Sequence, residues 1–405
     1  MRRSVARALA LALLATLGSC APKAKPEVVF WQFWPLDVIQ PIVDRFEAEN
    51  PGIDVRVEQL TWDSGKDKIT AAIAAGRPPD LCELGSTYMP RFLEAGALSD
   101  WSAGVADLRD SLRGWDMCRI GDAIYGVPWV LGTRALFYNK MLFARAGLDS
   151  SRGPETWSEV LDAAARIQRL SGGVHGYGVS LNDRQKLFKK FMPYAWGNGG
   201  EVLSPGLDSS RFGSTENLEA LEFYLSLRKL GMTGLQDELD KEFREGRLGM
   251  QISGAWLLKQ IPRDAPALRY GVALVPRPAM DRGQHASFAG GEVLVSFKAS
   301  ARKEDALRLA RFLVRSENAL ALAMSAQSVQ PATVGADTSA FYREHGAQAT
   351  MIRQFASARF TPNHPRWDEM EEAIEEEIEQ ALFDRKTAKQ AIADAHGRLT
   401  ALLGR

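Results

Sequence analysis

Hydrophobic and polar positions change period several times along the chain, and each change marks an element. "VVFWQFW", Val28 to Trp34, is β-branched and aromatic and predicts a strand. From Asp37 to Asn50, Ile39, Ile42, Val43 and Phe46 recur at helical spacing, and "NPG" stops that helix. "IDVRVEQL" alternates and predicts a second strand. Gly65 to Gly76 predicts a helix, and "PDLCELG" a third strand. Strand and helix alternate with short links, so the first third predicts an α/β lobe with mainly parallel pairing.

Longer helical patterns follow. "TWSEVLDAAARIQRL" opens on Thr156 with Glu159 three residues on, the spacing of a capping box. "STENLEALEFYLSLRKLG" starts near Ser214 and ends at Gly231. "EDALRLARFLVRSENALALAMSA" is rich in alanine and leucine and breaks near Ser316. In "RWDEMEEAIEEEIEQALF", Met370, Ile374, Ile378 and Leu382 fall every four residues. That spacing predicts a surface helix with one apolar and one solvated acidic face, rather than a metal site.

The length of 405 residues exceeds one ordinary domain and fits two lobes. Hydrophobics at 45% and charged residues at 25% match a globular protein. The formal net charge is zero, so no basic excess points to nucleic acid. After the first twenty residues no apolar run is long enough to span a bilayer.

Those first residues read as an export signal. Arg2, Arg3 and Arg7 precede the apolar run Ala8 to Leu17, and "LGSC" ends at Cys20. The ending resembles a bacterial lipobox, which implies cleavage before Cys20 and acylation of its thiol. The alternative is a plain signal peptide with an incidental cysteine. Loss of the three arginines leaves the mature chain at −3. Residues 20–27 are a short polar tether. Cys82 and Cys118 remain, either as a disulfide of an exported chain or as two separate buried thiols.

Catalytic motifs are missing. The five histidines, at 175, 285, 345, 364 and 396, show no i, i+3 or i+4 pairing for zinc. There is no G-x-S-x-G elbow and no Walker A loop. "GGVHGYG" and "GNGG" read as turns. No metal and no cofactor is expected. Tryptophan says more. Trp31, Trp34, Trp129, Trp196, Trp256 and Trp367 sit near predicted strand ends or glycine-rich loops. An indole can stack on the apolar face of a sugar while polar side chains bind its hydroxyl edge. The competing reading is burial in a core. Trp101, Trp115 and Trp157 are assigned to packing.

Taken in order, several segments resemble the extracellular solute-binding proteins of bacterial ABC importers, in the group for maltose, other oligosaccharides and glycerol phosphates. The carrying segments are "FWQFW", "FEAENPGIDVRVEQL", "AAGRPPDLCELGS", "FLEAGALSD", "YGVPWVLGTRALFYNKMLFARAGL", "PETWSEVLDAAARI", "YAWGNGGE", "GRLGMQISGAWL", "FAGGEVLVSF" and "TPNHPRWDEMEEAIEEEIEQAL". The resemblance implies an α/β, two-lobed periplasmic-binding-protein-like fold (type II), with a ligand cleft between lobes joined by hinge crossings. It implies a first lobe of residues 28–131 plus 286–333 and a second of 134–285 plus 334–405. The first crossing runs from Trp129 to Arg134, and returns fall near Ala286 and Val334. It implies as ligand-binding residues Trp34, Glu83, Ser86, Trp129, Arg134, Trp196, Asn198, Trp256, Gly290, Gly291 and Glu292. The two glycines would let backbone N–H groups approach the ligand. Trp367 is a weaker candidate, and Leu84 stands where some maltose binders carry an aromatic.

The implied function is non-enzymatic capture of a mono- or oligosaccharide and its delivery to membrane permease subunits. The protein would be exported, lipid-anchored through Cys20 at the outer face of the cytoplasmic membrane or in the periplasm, and monomeric. One alternative is a glycerol phosphate or related phosphodiester ligand, for which Arg134 is the one cleft cation placed. Another is an exported glycoside hydrolase with Glu83 and Glu292 as its carboxylates.

Overall fold

The structure is a computed structural model that describes residues 27–404, apart from 185, 327, 328 and 345. The leader, the tether and Cys20 lie outside the described residues. Thirteen strands are described: β1 (Glu27–Gln32), β2 (Asp54–Gln59), β3 (Leu81–Gly85), β4 (Arg119–Ile120), β5 (Ala123–Ile124), β6 (Val127–Asn139), β7 (His175–Ser180), β8 (Gly231–Gly234), β9 (Leu248–Gly254), β10 (Tyr270–Ala273), β11 (Ser287–Val295), β12 (Gln330–Pro331) and β13 (Ala358–Arg359). β4 and β5 form a small hairpin. The main path runs β2-β1-β3-β11-β6-β9-β7-β8, with β10 and β12 on β6 and β13 on β11.

At one end β1 pairs in parallel with β2 and β3, the pairing the alternating pattern predicts. β3 is buried along its whole length, Glu83 at its centre included, so it does not alternate. The helix Leu36–Glu49 covers this sheet with Val38, Ile39, Ile42, Val43 and Phe46. These residues belong to one core cluster that also holds Trp129 and Val293 to Val295. A second cluster gathers helices Trp157–Gln168, Leu187–Gly197, Thr215–Arg228, Trp367–Leu382 and Ala388–Leu403 around β7. A smaller third cluster, with Phe137, Leu239, Leu248 and Met351, lies on the other side of β9.

Strand β6 spans the junction. Its residues 127–133 pair with β11 and β12, and its residues 134–139 with β9 and β10. β11 crosses in the opposite sense: Phe288 is in the second core and Val293 in the first. The third passage comes later than the expected return at Val334. Tyr342 is still in the first core and Met351 in the third cluster. The reason is local: Thr333 Oγ1 donates to the Val314 carbonyl and Tyr342 Oη to the Val329 carbonyl, which tie this segment to the first core.

The acidic helix departs from its sequence pattern. It spans Trp367–Leu382 and its apolar stripe is buried, but Glu371, Glu375 and Glu377 are buried too. The helix packs on more than one side, and two of these carboxylates meet partners from other elements. Glu375 accepts the Phe188 amide at the start of helix Leu187–Gly197, where a helix end favours an anion. Glu377 pairs with Lys386 and Arg398. Cys82 and Cys118 are separate, buried, free thiols, so the second reading of that pair is the one observed.

Candidate ligand-binding site

Arg134 is the first residue of β6 beyond the junction. It stands opposite Gly254 in the antiparallel pair with β9. Its guanidinium carbon lies 4.7 Å from the centroid of the Trp256 ring and 5.4 Å from that of Phe288. Lys189 Nζ lies 5.3 Å from the same Phe288 ring. These are cation–π distances. Among the described residues neither cation forms an ion pair within 4.0 Å. Arg134 does donate to the carbonyl of Thr133, at 3.1 Å.

Carboxylates face these cations. Burial pulls Arg134 down to about 10, with the charges of Glu292 and Asp240 opposing. Burial pushes Glu292 up to about 7 against the pull of Arg134 and Lys189. Glu371 is also pushed up to about 7 by burial, against Lys189. Glu83 is raised well above the usual carboxylate range, by burial first and then by the charge of Glu292. Its Oε2 accepts the Phe33 amide at 2.7 Å, which acts the other way. Donors and acceptors thus stand together in one buried group.

The first core supplies the opposite wall. Ser86 Oγ accepts the Gly291 amide at 3.3 Å, which joins two of the expected residues. A Cβ on Gly291 would stand 2.1 Å from the Val130 carbonyl oxygen, and one on Gly290 would strike the Phe288 ring at 2.7 Å. Close approach to the neighbouring strand β6 therefore accounts for Gly291, and the Phe288 ring of β11 itself for Gly290, and the Gly291 N–H is already engaged. Trp34 is half-buried at the end of β1 beside Glu83.

Three expected residues sit elsewhere. Trp129 is buried in the first core, 6.1 Å from the Phe30 ring. Trp196 is buried in the second core and lines a cavity of about 490 Å³ with Arg211, Arg359 and Phe360, which shares no lining residue with the Arg134 group. Asn198 Nδ2 is engaged with the Glu216 carbonyl and Glu219. Trp367 is wholly buried and donates to Glu371 at 3.1 Å.

Other residues at the site were not read from the sequence. Trp62 is 48% exposed and stacks on Phe33 at 4.0 Å and 11°, beside Tyr88. It lies between a strand end and Gly65, the signal used for the other tryptophans. Lys189 and Asp240 carried no such signal, because helical spacing does not say which charged residue turns inward. Among the described residues no group of three His, Cys, Asp or Glu side chains could hold a metal ion.

Comparison with known proteins decides the family. Residues 36–320 match the model of the bacterial extracellular solute-binding protein family. The chain belongs to that family. A Brucella abortus (strain 2308) protein named only as a binding protein is 27% identical over 371 residues, with 88% of each chain covered. The sn-glycerol-3-phosphate-binding periplasmic protein UgpB of Escherichia coli (strain K12) is 26% identical, with 99% of this chain and 97% of that one covered. Among solved structures, an ABC transporter solute-binding protein from Thermotoga lettingae TMO, bound with alpha-D-tagatose, is 27% identical. Its TM-score is 0.84, covering 94% of this chain and 100% of that chain. The two-lobed type II fold stands with these likenesses. This is a solute-binding protein of an exported family and not an enzyme, so the hydrolase reading of Glu83 and Glu292 falls. No described helix is long and apolar enough to cross a membrane.

Proposed function

We propose that this solute-binding protein is the extracytoplasmic receptor of an ABC importer for a small, multiply hydroxylated ligand of the sugar class, held between the lobes around Arg134. The observation that carries the reading is the Arg134 guanidinium, flanked by Trp256 and Phe288 and free of any ion pair among the described residues. Arg134 and Lys189 would donate to ligand hydroxyls, and Glu292 and Glu83 would accept from them. Trp34, Trp62 and Trp256 would meet the apolar faces of the ring. Carboxyl groups already face both cations, and a phosphate dianion would add negative charge beside them, which suits a neutral ligand better. A phosphorylated ligand is the second reading, and the presence of Lys189 beside Arg134 favours it.

Calorimetric titration with alpha-D-tagatose, maltose and sn-glycerol 3-phosphate tests both. A neutral sugar should bind, and Arg134→Ala should weaken it at least tenfold, about 1.4 kcal/mol. Binding of the phosphate ester alone selects the second reading. Undiminished affinity in Arg134→Ala removes the site. The reading includes delivery to permease subunits, a monomer, and acylation of Cys20. Mass spectrometry of the native protein tests the last: a mature N-terminus other than a modified Cys20 excludes the anchor.

A further inference from the structure

Beside the Trp256 indole lies a buried polar group. Asp240, on helix Gln236–Arg244, is 2% exposed. Its Oδ1 accepts from Gln236 Nε2 at 2.7 Å, Gln251 Nε2 at 2.9 Å and Ser253 Oγ at 3.1 Å. Its Oδ2 accepts from the Trp256 indole Nε1 at 2.7 Å. Gln236, Gln251 and Ser253 are themselves buried. A carboxylate with four donors in a dry setting is held rigidly, and a charge-assisted bond of this length is strong.

We infer that Asp240 is the positioning residue of the site: by fixing the Trp256 indole it fixes the ring against which the Arg134 guanidinium lies. The inference rests on the proposal that Arg134 meets the ligand. The chain of contacts is short. Asp240 sets the rotation of the indole about its own axis. The indole folds back over Gly254, the residue opposite Arg134. Arg134 packs on that ring from the neighbouring strand. A guanidinium has many rotamers, and binding would otherwise carry the entropy of ordering it. Held between two rings, it presents its N–H groups in one orientation before the ligand arrives.

Asp240→Asn separates this role from a merely structural one. Three donors converge on Oδ1, so the amide oxygen of the asparagine takes that side. Its NH2 then faces the indole N–H, donor against donor, and the Trp256 bond is broken while the other three remain. Two measurements decide. The Trp256 indole N–H resonance, assigned by its loss in Trp256→Phe, should shift and exchange faster with water in Asp240→Asn. An unmoved, protected resonance overturns the inference whether or not a ligand is known. Affinity is then titrated with alpha-D-tagatose, maltose and sn-glycerol 3-phosphate in a double-mutant cycle. Asp240→Asn should weaken binding about tenfold in the natural sequence and less than about twofold on a Trp256→Phe background. Equal losses on both backgrounds overturn it, because Asp240 would then act without the indole. If Asp240→Asn does not fold, Trp256→Phe alone removes the same donor, and unchanged affinity there overturns the inference. If none of the three probes binds, the ligand proposal fails and the resonance still decides the role of Asp240.

Discussion

Gly254 shows how little room the site leaves. A Cβ built there would stand 1.9 Å from Cζ3 of Trp256. The ring cannot slide away without stretching its bond to Asp240. Gly254→Ala should therefore displace the indole, lower stability by about 1–3 kcal/mol through overpacking, and weaken ligand binding with it. Denaturant unfolding and titration check both, and a variant unchanged in each would mean the ring has space to move. Glu371 makes a prediction about pH. Burial raises its carboxyl from an ordinary value of 4.5 to about 7. Between those values the folded chain keeps a proton that the unfolded chain has released. The contribution of this group falls as pH rises through that window and levels off above it, by up to about 3 kcal/mol, while His364, lowered from 6.5 by burial, acts in the opposite sense just below 6.5. Glu292 acts in the same sense as Glu371. The lowered carboxylates, such as Asp100 and Asp264, act below that window, and Lys190, lowered to about 7, acts above it. Glu371→Gln should flatten the fall in melting temperature between about pH 5 and pH 7. A slope as steep as in the natural sequence would show that other groups set it.

At the level of elements, caps and periodicity found some of the helices, while Leu187–Gly197, Gln236–Arg244, Trp256–Asp264 and Ala388–Leu403 were not read from the sequence. Thr156 precedes helix Trp157–Gln168 and its Oγ1 accepts the Glu159 amide at 3.3 Å, as the spacing predicts. The Glu159 carboxylate takes the amide of Glu155, one residue ahead of the cap. Thr156→Ala should lower stability by about 1 kcal/mol and leave ligand affinity alone. Urea unfolding and titration test that pair of outcomes, and a loss of affinity would mean this helix end bears on the cleft. What the pattern missed is the second face of an element. The apolar stripe of Trp367–Leu382 was plain, but burial of Glu371, Glu375 and Glu377 depends on Lys189, Phe188, Lys386 and Arg398. None of these partners sits at a helical spacing from the glutamate it meets. Lys189 was hidden for the same reason, since Lys189 and Lys190 are neighbours in sequence and only the fold decides where each points. Arg134 and Glu292 became candidates because they lie in strands whose segments resemble a family. Trp129 and Trp196 were misleading because a strand or helix end near a glycine is also where a core closes.

For the whole molecule the question is how the two cores move. Strands β6 and β11 run through the junction, and a third passage follows Tyr342. Few, narrow connections of this kind favour rotation of rigid lobes about the crossings. A ligand favours the closed arrangement only by as much as it binds that arrangement better. Among the contacts that join the lobes, beside Lys259 to the Ser325 carbonyl and Asn363 to the Arg119 carbonyl, is an ion pair: Lys66 Nζ, from helix Gly65–Ala74, lies 2.5 Å from Asp368 Oδ2, with the Tyr88 ring 5.0 Å beneath the ammonium. The pair is partly screened by solvent, so it is worth about 1 kcal/mol or less. If it forms only on closure, that energy belongs to the closed state alone. Lys66→Ala should then weaken binding by about two- to fivefold and leave the melting temperature of the ligand-free protein unchanged. Small-angle scattering supplies the second half of the test. The radius of gyration should fall when saturating ligand is added, and the variant should need more ligand to reach the same value. An identical radius with and without ligand would exclude closure. A full change in radius at unaltered ligand concentration in Lys66→Ala would keep closure and remove the ion pair from it.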